Sequence, residues 1–211
     1  MKTALPNLRT NLATWAVPVD LVPAVTEIML ESLPAEDYDP AFKGQHLETI
    51  YFDTQKLELR KNRRAHDQYI TVRVRCYDSI TGDAYALSAK TEQEKFHLPI
   101  DERTAEHLIS GDDPGPALAT LLPGHLLARL LDVSHSRRLM PVVKIMCRRY
   151  AREDDRDRLT LDLCVRTDTG KRLPYGVLEF KSINNSETFP DLLNVPIRPM
   201  KLSKFLWSLE V

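Results

Sequence analysis

Arginine recurs at alternate positions inside strands whose other positions are apolar, and no other feature restricts the fold of this 211-residue chain so tightly. In a strand, residues i, i+2 and i+4 share a face. In Ile70-Thr71-Val72-Arg73-Val74-Arg75, Arg73 and Arg75 face one way, and Val72 and Val74 the other. In Arg158-Leu159-Thr160-Leu161-Asp162-Leu163, the polar residues oppose three leucines. In Val177-Leu178-Glu179-Phe180-Lys181, Glu179 and Lys181 share a face, with Leu178 and Phe180 behind them. Any one of these strands reads as half-solvated, because such alternation is normal in antiparallel sheets. Together they are predominantly cationic: Arg73, Arg75, Lys90, Arg149 and Arg158 stand against Glu179 and Asp162. If such a sheet closes into a barrel, these side chains line its interior, where like charges require an anion. The planar fork of arginine suits phosphate oxygens. Period alone does not separate Arg148 from Arg149, which point to opposite faces of one strand.

The rest of the chain gives these strands a setting. Asp20 is placed to cap a helix running to about Leu33, stopped by Pro34. Strands are predicted over His46–Phe52, Tyr69–Tyr77, Ala84–Lys90, Lys95–Ile100, Val142–Tyr150, Leu159–Arg166 and Gly176–Ile183. Asp101 caps a helix ending near Gly111, a turn spans 111–116, and Ala117–Val133 is helical with a break at Pro123-Gly124. Pro199 opens a C-terminal helix with Leu202, Phe205, Leu206 and Leu209 on its apolar stripe and Lys201 and Lys204 on one face. Strands in adjacent runs favour antiparallel pairing and an α+β class. The length suits a single domain spanning 1–211, and 43% hydrophobic residues supply a sizeable core. No apolar run is long enough to span a bilayer, and Met1–Val17 lacks the order of a signal peptide, so a cytoplasmic location is expected. Cys76, Cys147 and Cys164 form no CxxC pair and read as small buried hydrophobes. The six histidines show no metal spacing, and His66, His97 and His135 read as surface residues. A net charge of −1 and the lack of an external basic stripe count against nucleic acid, despite Arg73 and Arg75 beside Tyr77.

The charged strands also carry motifs. Leu47-Glu48-Thr49-Ile50-Tyr51-Phe52-Asp53-Thr54, Val72-Arg73-Val74-Arg75-Cys76-Tyr77, Pro141-Val142-Val143 through Arg149, Arg158-Leu159-Thr160-Leu161-Asp162, Leu173-Pro174-Tyr175-Gly176-Val177-Leu178-Glu179-Phe180-Lys181 and Lys201-Leu202-Ser203-Lys204-Phe205 follow one another in order. Each block alone is weak; in this order they resemble the polyphosphate polymerase domain of the vacuolar transporter chaperone (VTC) family. The resemblance selects Arg149 over Arg148. It implies the triphosphate tunnel fold related to CYTH domains: an antiparallel β-barrel with flanking helices and the C-terminal helix at one mouth. It implies a metal-dependent phosphotransferase, using Mn²⁺ or Mg²⁺, that moves the γ-phosphate of ATP onto inorganic polyphosphate. Its phosphate ligands carry over to Arg73, Arg75, Lys90, Lys95, Arg149, Arg158, Lys201 and Lys204, with Arg73, Arg75, Lys90, Arg149 and Arg158 closest to the chemistry. Its metal ligand carries over to Glu179. Any phosphate-sensing or membrane-anchoring element would come from a partner protein.

Three departures from the family's pattern bear on activity. Thr14 stands where a lysine is usual in the first strand, with Leu12 where an acid often is. Ser88-Ala89-Lys90 replaces an E-x-K pattern, so the acid is lost. Lys95 is followed by Phe96 and His97 instead of a basic pair. A non-catalytic polyphosphate binder and a tunnel triphosphatase acting on triphosphate therefore stand beside the polymerase as alternative functions.

Overall fold

The computed structural model describes residues 10–35, 41–65, 69–78, 84–110, 113–183 and 194–210. It is an α+β protein with antiparallel strands and short helices. Internal contacts group the chain into two compact units. The first is made of Met1–His46, Met146–Arg166 and Gly170–Leu202, and the second of Leu47–Ile145, Thr167–Thr169 and Ser203–Val211.

In the second unit, β2 (Gln45–Thr54), β3 (Thr71–Tyr77), β4 (Tyr85–Lys90) and β5 (Lys95–Ile100) follow one another antiparallel, with the start of β6 (Leu139–Glu153) beyond β2. One face of this sheet is apolar. Ile50, Phe52, Val72, Val74, Leu87 and Ala89 lie buried there against α3 (Glu102–Ser110), α4 (Gly115–Leu121) and α5 (Gly124–Val133), which contribute Leu108, Leu118, Leu126 and Leu130. Asp101 Oδ1 accepts from the Thr104 amide at 2.7 Å, the expected cap of α3. Pro123-Gly124 divides the expected single helix into α4 and α5.

In the first unit, the end of β6 is followed by β7 (Asp157–Thr167), β8 (Gly176–Ser182), β1 (Thr10–Val17) and the two-residue β9 (Arg198–Pro199). Trp15, Val17, Leu159, Leu161, Leu178 and Phe180 form its apolar face with Val25 and Met29 of α1 (Val22–Ser32). Gly44, at φ +77°, lets the Tyr150 ring pack on the chain; a Cβ there would meet ring atoms at 2.7 Å.

The structure corrects four expectations. Asp20 does not cap α1; it lies in a 3-10 turn (Val19–Leu21), and α1 begins with proline in its first turn, where a missing N–H costs nothing. Pro199 does not open the C-terminal helix. Arg198 and Pro199 pair with Ala16 and Trp15, and Met200 N donates to Thr14 O, which holds the chain extended. The helix, α6 (Lys204–Ser208), begins only after Ser203, whose hydroxyl accepts from the Leu206 amide. Lys201 therefore precedes the helix and does not share a helical face with Lys204. Cys164 is exposed at φ +54°, an irregular point in β7, while Cys147 is buried and Cys76 half-buried. His66 and residues 111–112 of the predicted turn lie outside the described residues; His97 and His135 are exposed, as expected.

Sequence reading also missed a helix, α2 (Glu58–Ala65). The fully buried Asp53 anchors it, accepting from the amides of Thr54, Leu59 and Arg60 at 2.7–2.9 Å. Burial raises the Asp53 carboxyl above its ordinary range, and those three amides act against the shift. The aspartate that ends the tyrosine-phenylalanine-aspartate motif thus ties a strand to the helix that follows.

Candidate functional site

Opposite the apolar face of the second unit lies a second face set by strand register. Residues directly across an antiparallel pair point the same way. One row runs Tyr51, Arg73, Ser88, His97; the next on one side runs Thr49, Arg75, Ala86, Pro99; and on the other side stand Thr71, Lys90 and Lys95. The structure therefore brings Arg73, Arg75, Lys90 and Lys95 onto one face, and no carboxylate stands among these paired residues.

What the arginines meet instead is neutral. Arg73 Nη1 donates to Tyr51 Oη at 3.3 Å, with its guanidinium carbon 5.9 Å from the centre of that ring. Arg75 Nη1 approaches Tyr77 Oη at 3.4 Å. Arg75 Nε is buried and has no hydrogen-bond partner among the described residues. Burial first, and then the charge of Arg75, hold the Arg73 guanidinium below the usual arginine range; Tyr51 offsets part of this. A crowded, partly desolvated pair of cations with an orphaned donor is an arrangement that an anion stabilises. Helix α6 docks beside it: the Phe205 ring stacks on Tyr51 with centroids 4.9 Å apart and 19° between planes, which sets Lys204 at the start of that helix.

The polar face of the first unit is built differently. Thr14, Glu179 and Thr160 form one row across β1, β8 and β7, and Arg158 stands opposite Lys181 in the next. Arg149 and Arg158 each lie beside an acid there. Arg149 holds Asp162 in a bidentate pair, Nε to Oδ1 at 2.6 Å and Nη2 to Oδ2 at 2.7 Å. Burial pulls the Arg149 guanidinium down, but the Asp162 carboxylate outweighs it, and the group is raised well above the usual arginine range. One edge of its fork is thus taken, which leaves three of its five N–H donors, on Nη1 and Nη2, for other partners. Arg158 Nε lies 3.4 Å from Glu153, and Glu179 lies 3.3 Å from Lys181 Nζ. Thr160 Oγ1 is buried with no hydrogen-bond partner among the described residues. Arg148 is exposed, and Lys201 is exposed ahead of α6.

Among the described residues, no three of His, Cys, Asp and Glu gather as a metal centre. Glu179 is a single carboxylate beside a lysine. Such a donor set fits a Mg²⁺ or Mn²⁺ ion that arrives chelated by phosphate, with phosphate oxygens and water supplying the other ligands. Strand alternation could not reveal the Ser88–His97 pair, Oγ to Nδ1 at 3.0 Å, because it depends on the register between β4 and β5.

Comparison with known proteins agrees with this architecture. A family model described as the VTC domain matches residues 9–211. Among solved structures, a candidate adenylate cyclase from Bacillus halodurans is similar at a TM-score of 0.51 and 14% identity, over 82% of this chain and 79% of that one. A candidate adenylyl cyclase from Hippeastrum, described as revealing a dominant triphosphatase activity, is similar at a TM-score of 0.53 and 16% identity, over 92% and 91%. No curated protein matches the sequence. Identity this low speaks for the fold alone, and both are tunnel-fold proteins.

Proposed function

Because this chain belongs to the VTC domain family, we propose that it binds ATP and inorganic polyphosphate and transfers the γ-phosphate of ATP to the end of the polyphosphate. The observation that supports this reading is the clustering of four cations on one face of the second unit: Arg73, Arg75, Lys90 and Lys95 stand in adjacent rows, with Arg75 Nε buried and without a hydrogen-bond partner among the described residues.

Phosphoryl transfer requires alignment and neutralisation of charge more than covalent work from the protein. A terminal oxygen of the polyphosphate bonds to the γ-phosphorus, the bond to the bridging oxygen breaks, and ADP leaves with that electron pair. Arg73 and Arg75 offer forked donors to the non-bridging oxygens, and Lys90, Lys95 and Lys204 add point charges that hold the phosphate chain. Arg149 contributes through the donors that Asp162 leaves free on Nη1 and Nη2, while the bidentate pair fixes its orientation. Arg158 and Lys201 enter as ligands by the family resemblance. Glu179 is the residue that would hold a divalent ion, which when bound neutralises charge on the transferring phosphate. With Thr14 and Thr160 as its cross-strand neighbours, Glu179 keeps no lysine in its own row.

Triphosphate hydrolysis is the second reading, favoured by the description of the Hippeastrum protein. Water would then replace the polyphosphate end as acceptor. Incubation with ATP and Mn²⁺, followed by a polyphosphate gel and an assay for orthophosphate, separates the readings. Long product is the expected result, and it should vanish in Glu179→Gln. Orthophosphate without chain would establish hydrolysis. Neither product, with tripolyphosphate still bound, would leave a non-catalytic binder, in keeping with the altered residues Thr14 and Ser88.

A further inference from the structure

We propose that Thr160 is an uncharged phosphate ligand on the polar face of the first unit, its hydroxyl donating a hydrogen bond to a non-bridging oxygen of the bound phosphate chain. The inference rests on the proposed binding of polyphosphate by this protein.

Thr160 is 2% exposed, and its Oγ1 has no hydrogen-bond partner among the described residues. Other buried hydroxyls of the protein are satisfied from within. Thr54 Oγ1 donates to Glu58 at 2.7 Å, Ser208 Oγ donates to the Phe205 carbonyl at 2.8 Å, and Ser88 Oγ lies 3.0 Å from His97 Nδ1. Thr54 and Ser208 reach partners four and three residues away, where the chain coils back on itself. A strand denies Thr160 that route. Its side chain stands roughly perpendicular to the sheet, whereas the backbone donors and acceptors lie in the plane and are spent on neighbouring strands. A partner must therefore come from above the face. Until one does, the buried hydroxyl carries a cost that a valine of the same shape would not.

The surroundings of that hydroxyl point to an anion. Leu159 and Leu161 turn into the apolar core, so Arg158, Thr160 and Asp162 follow one another along the polar face of β7. Glu179 stands directly opposite Thr160, yet it lies 3.3 Å from Lys181 Nζ and makes no hydrogen bond to the hydroxyl. Asp162 is occupied at both oxygens by Arg149. Thr160 therefore has a cation on either side: Arg158 two residues before it, and Arg149, held on Asp162, two residues after it. Arg158 and Asp162 are about 13 Å apart along the strand, a span that suits a chain of phosphates better than a single one. A chain that engages both arginines passes Thr160. Arg158 and Lys181, in the neighbouring row, keep 25% and 36% of their side chains exposed, so a ligand meets them from solvent and reaches the hydroxyl as these long side chains turn onto it. The hydroxyl then supplies a directed donor without adding to the positive charge already gathered, and a hydrogen bond to an ionised oxygen is stronger than one between neutral groups. The branched Cβ of threonine limits the rotamers over which that donor is spread.

Isothermal titration with tripolyphosphate and thermal melting, both on the whole 211-residue chain, test this with Thr160→Val and Thr160→Ser. Valine keeps the shape and removes the hydroxyl, so binding and stability should part company. Tripolyphosphate should bind Thr160→Val about tenfold or more weakly, the worth of a hydrogen bond to a charged group. The ligand-free Tm of the same variant should be no lower than that of the wild type, and higher by up to about 2–4 °C as the unmet hydroxyl is removed. Thr160→Ser, which keeps the donor, should bind close to the wild type. Undiminished affinity in Thr160→Val, with the wild type binding, would overturn the role of Thr160 and leave the phosphate site standing. A ligand-free Tm below that of the wild type would show that the hydroxyl serves the fold and would overturn it too. So would equal losses of affinity in the serine and valine variants, which would trace the effect to packing. Absence of tripolyphosphate binding by the wild type would overturn the proposed function itself, and this inference with it.

Discussion

The polar faces of the two units handle their arginines in opposite ways. In the first, Arg149 is clasped by Asp162, and Arg158 lies beside Glu153. In the second, Arg73 and Arg75 stand two residues apart in β3, bonded to tyrosine hydroxyls, with no acid in register beside them. Paired buried charges are held by their partners, and losing one strands the other. Unpaired clustered cations are tolerated at a cost that a bound anion recovers. The first pattern is a framework; the second is the face on which we propose the phosphate site.

Breaking the framework should have the largest effect. Arg149→Ala leaves Asp162, only 1% exposed, as a buried carboxylate without its bidentate partner. The expected loss is about 3–5 kcal/mol of stability, read by chemical denaturation. The double variant Arg149→Leu with Asp162→Leu should recover much of it; a loss as large as that of the single variant would show that the pair is not what is being measured.

The stack that seats α6 comes next. Phe205→Leu keeps an apolar side chain but removes the ring facing Tyr51. It should cost about 1 kcal/mol and weaken tripolyphosphate binding through Lys204. An unchanged denaturation midpoint would argue that α6 is not anchored by that contact.

Without added ligand, Arg73→Ala should cost less than about 1 kcal/mol, because the lost hydrogen bond to Tyr51 is offset by relief of repulsion from Arg75. A loss as large as that from Arg149→Ala would erase the contrast between the two faces. The smallest effect concerns reactivity on the opposite side of β3. Burial first, and then Glu48, push the Cys76 thiol up to about 11, so it should resist alkylation at pH 8 and react only as the pH approaches that value. The exposed Cys164 should be modified first at pH 8; faster reaction at Cys76 would contradict its assigned environment.

Much of this arrangement was legible because strand alternation is a strict rule. The pairs Val72/Arg73 and Leu161/Asp162 each assign two faces without any knowledge of the fold, and Lys95–Ile100 has the bounds expected from its sequence. Asp101 and Pro123-Gly124 were legible because caps and breaks are local. What escaped depends on distant partners. Helix α2 takes its cap from Asp53 at the end of the preceding strand, and its run of basic residues hides any apolar stripe. The C-terminal helix starts late because Arg198 and Pro199 are held by β1, a contact from the far end of the chain. Alternation places Arg149 on a face but does not disclose that Asp162 occupies its fork, nor that Ser88 lies between Arg73 and His97.

The contrast between the faces is tested most directly by ligand-linked stability, which does not depend on catalysis. At about one hundred times its dissociation constant, a ligand that binds only the folded protein adds about 2.7 kcal/mol. Melting of the wild type with tripolyphosphate, against sulfate at equal ionic strength, should show a rise in Tm of several degrees for the chain and little for the single anion. Arg73→Ala combined with Arg75→Ala should abolish most of that difference while leaving the ligand-free Tm nearly unchanged. Equal shifts from tripolyphosphate and sulfate, or an undiminished tripolyphosphate shift in the double variant, would contradict the assignment of this face as the phosphate site.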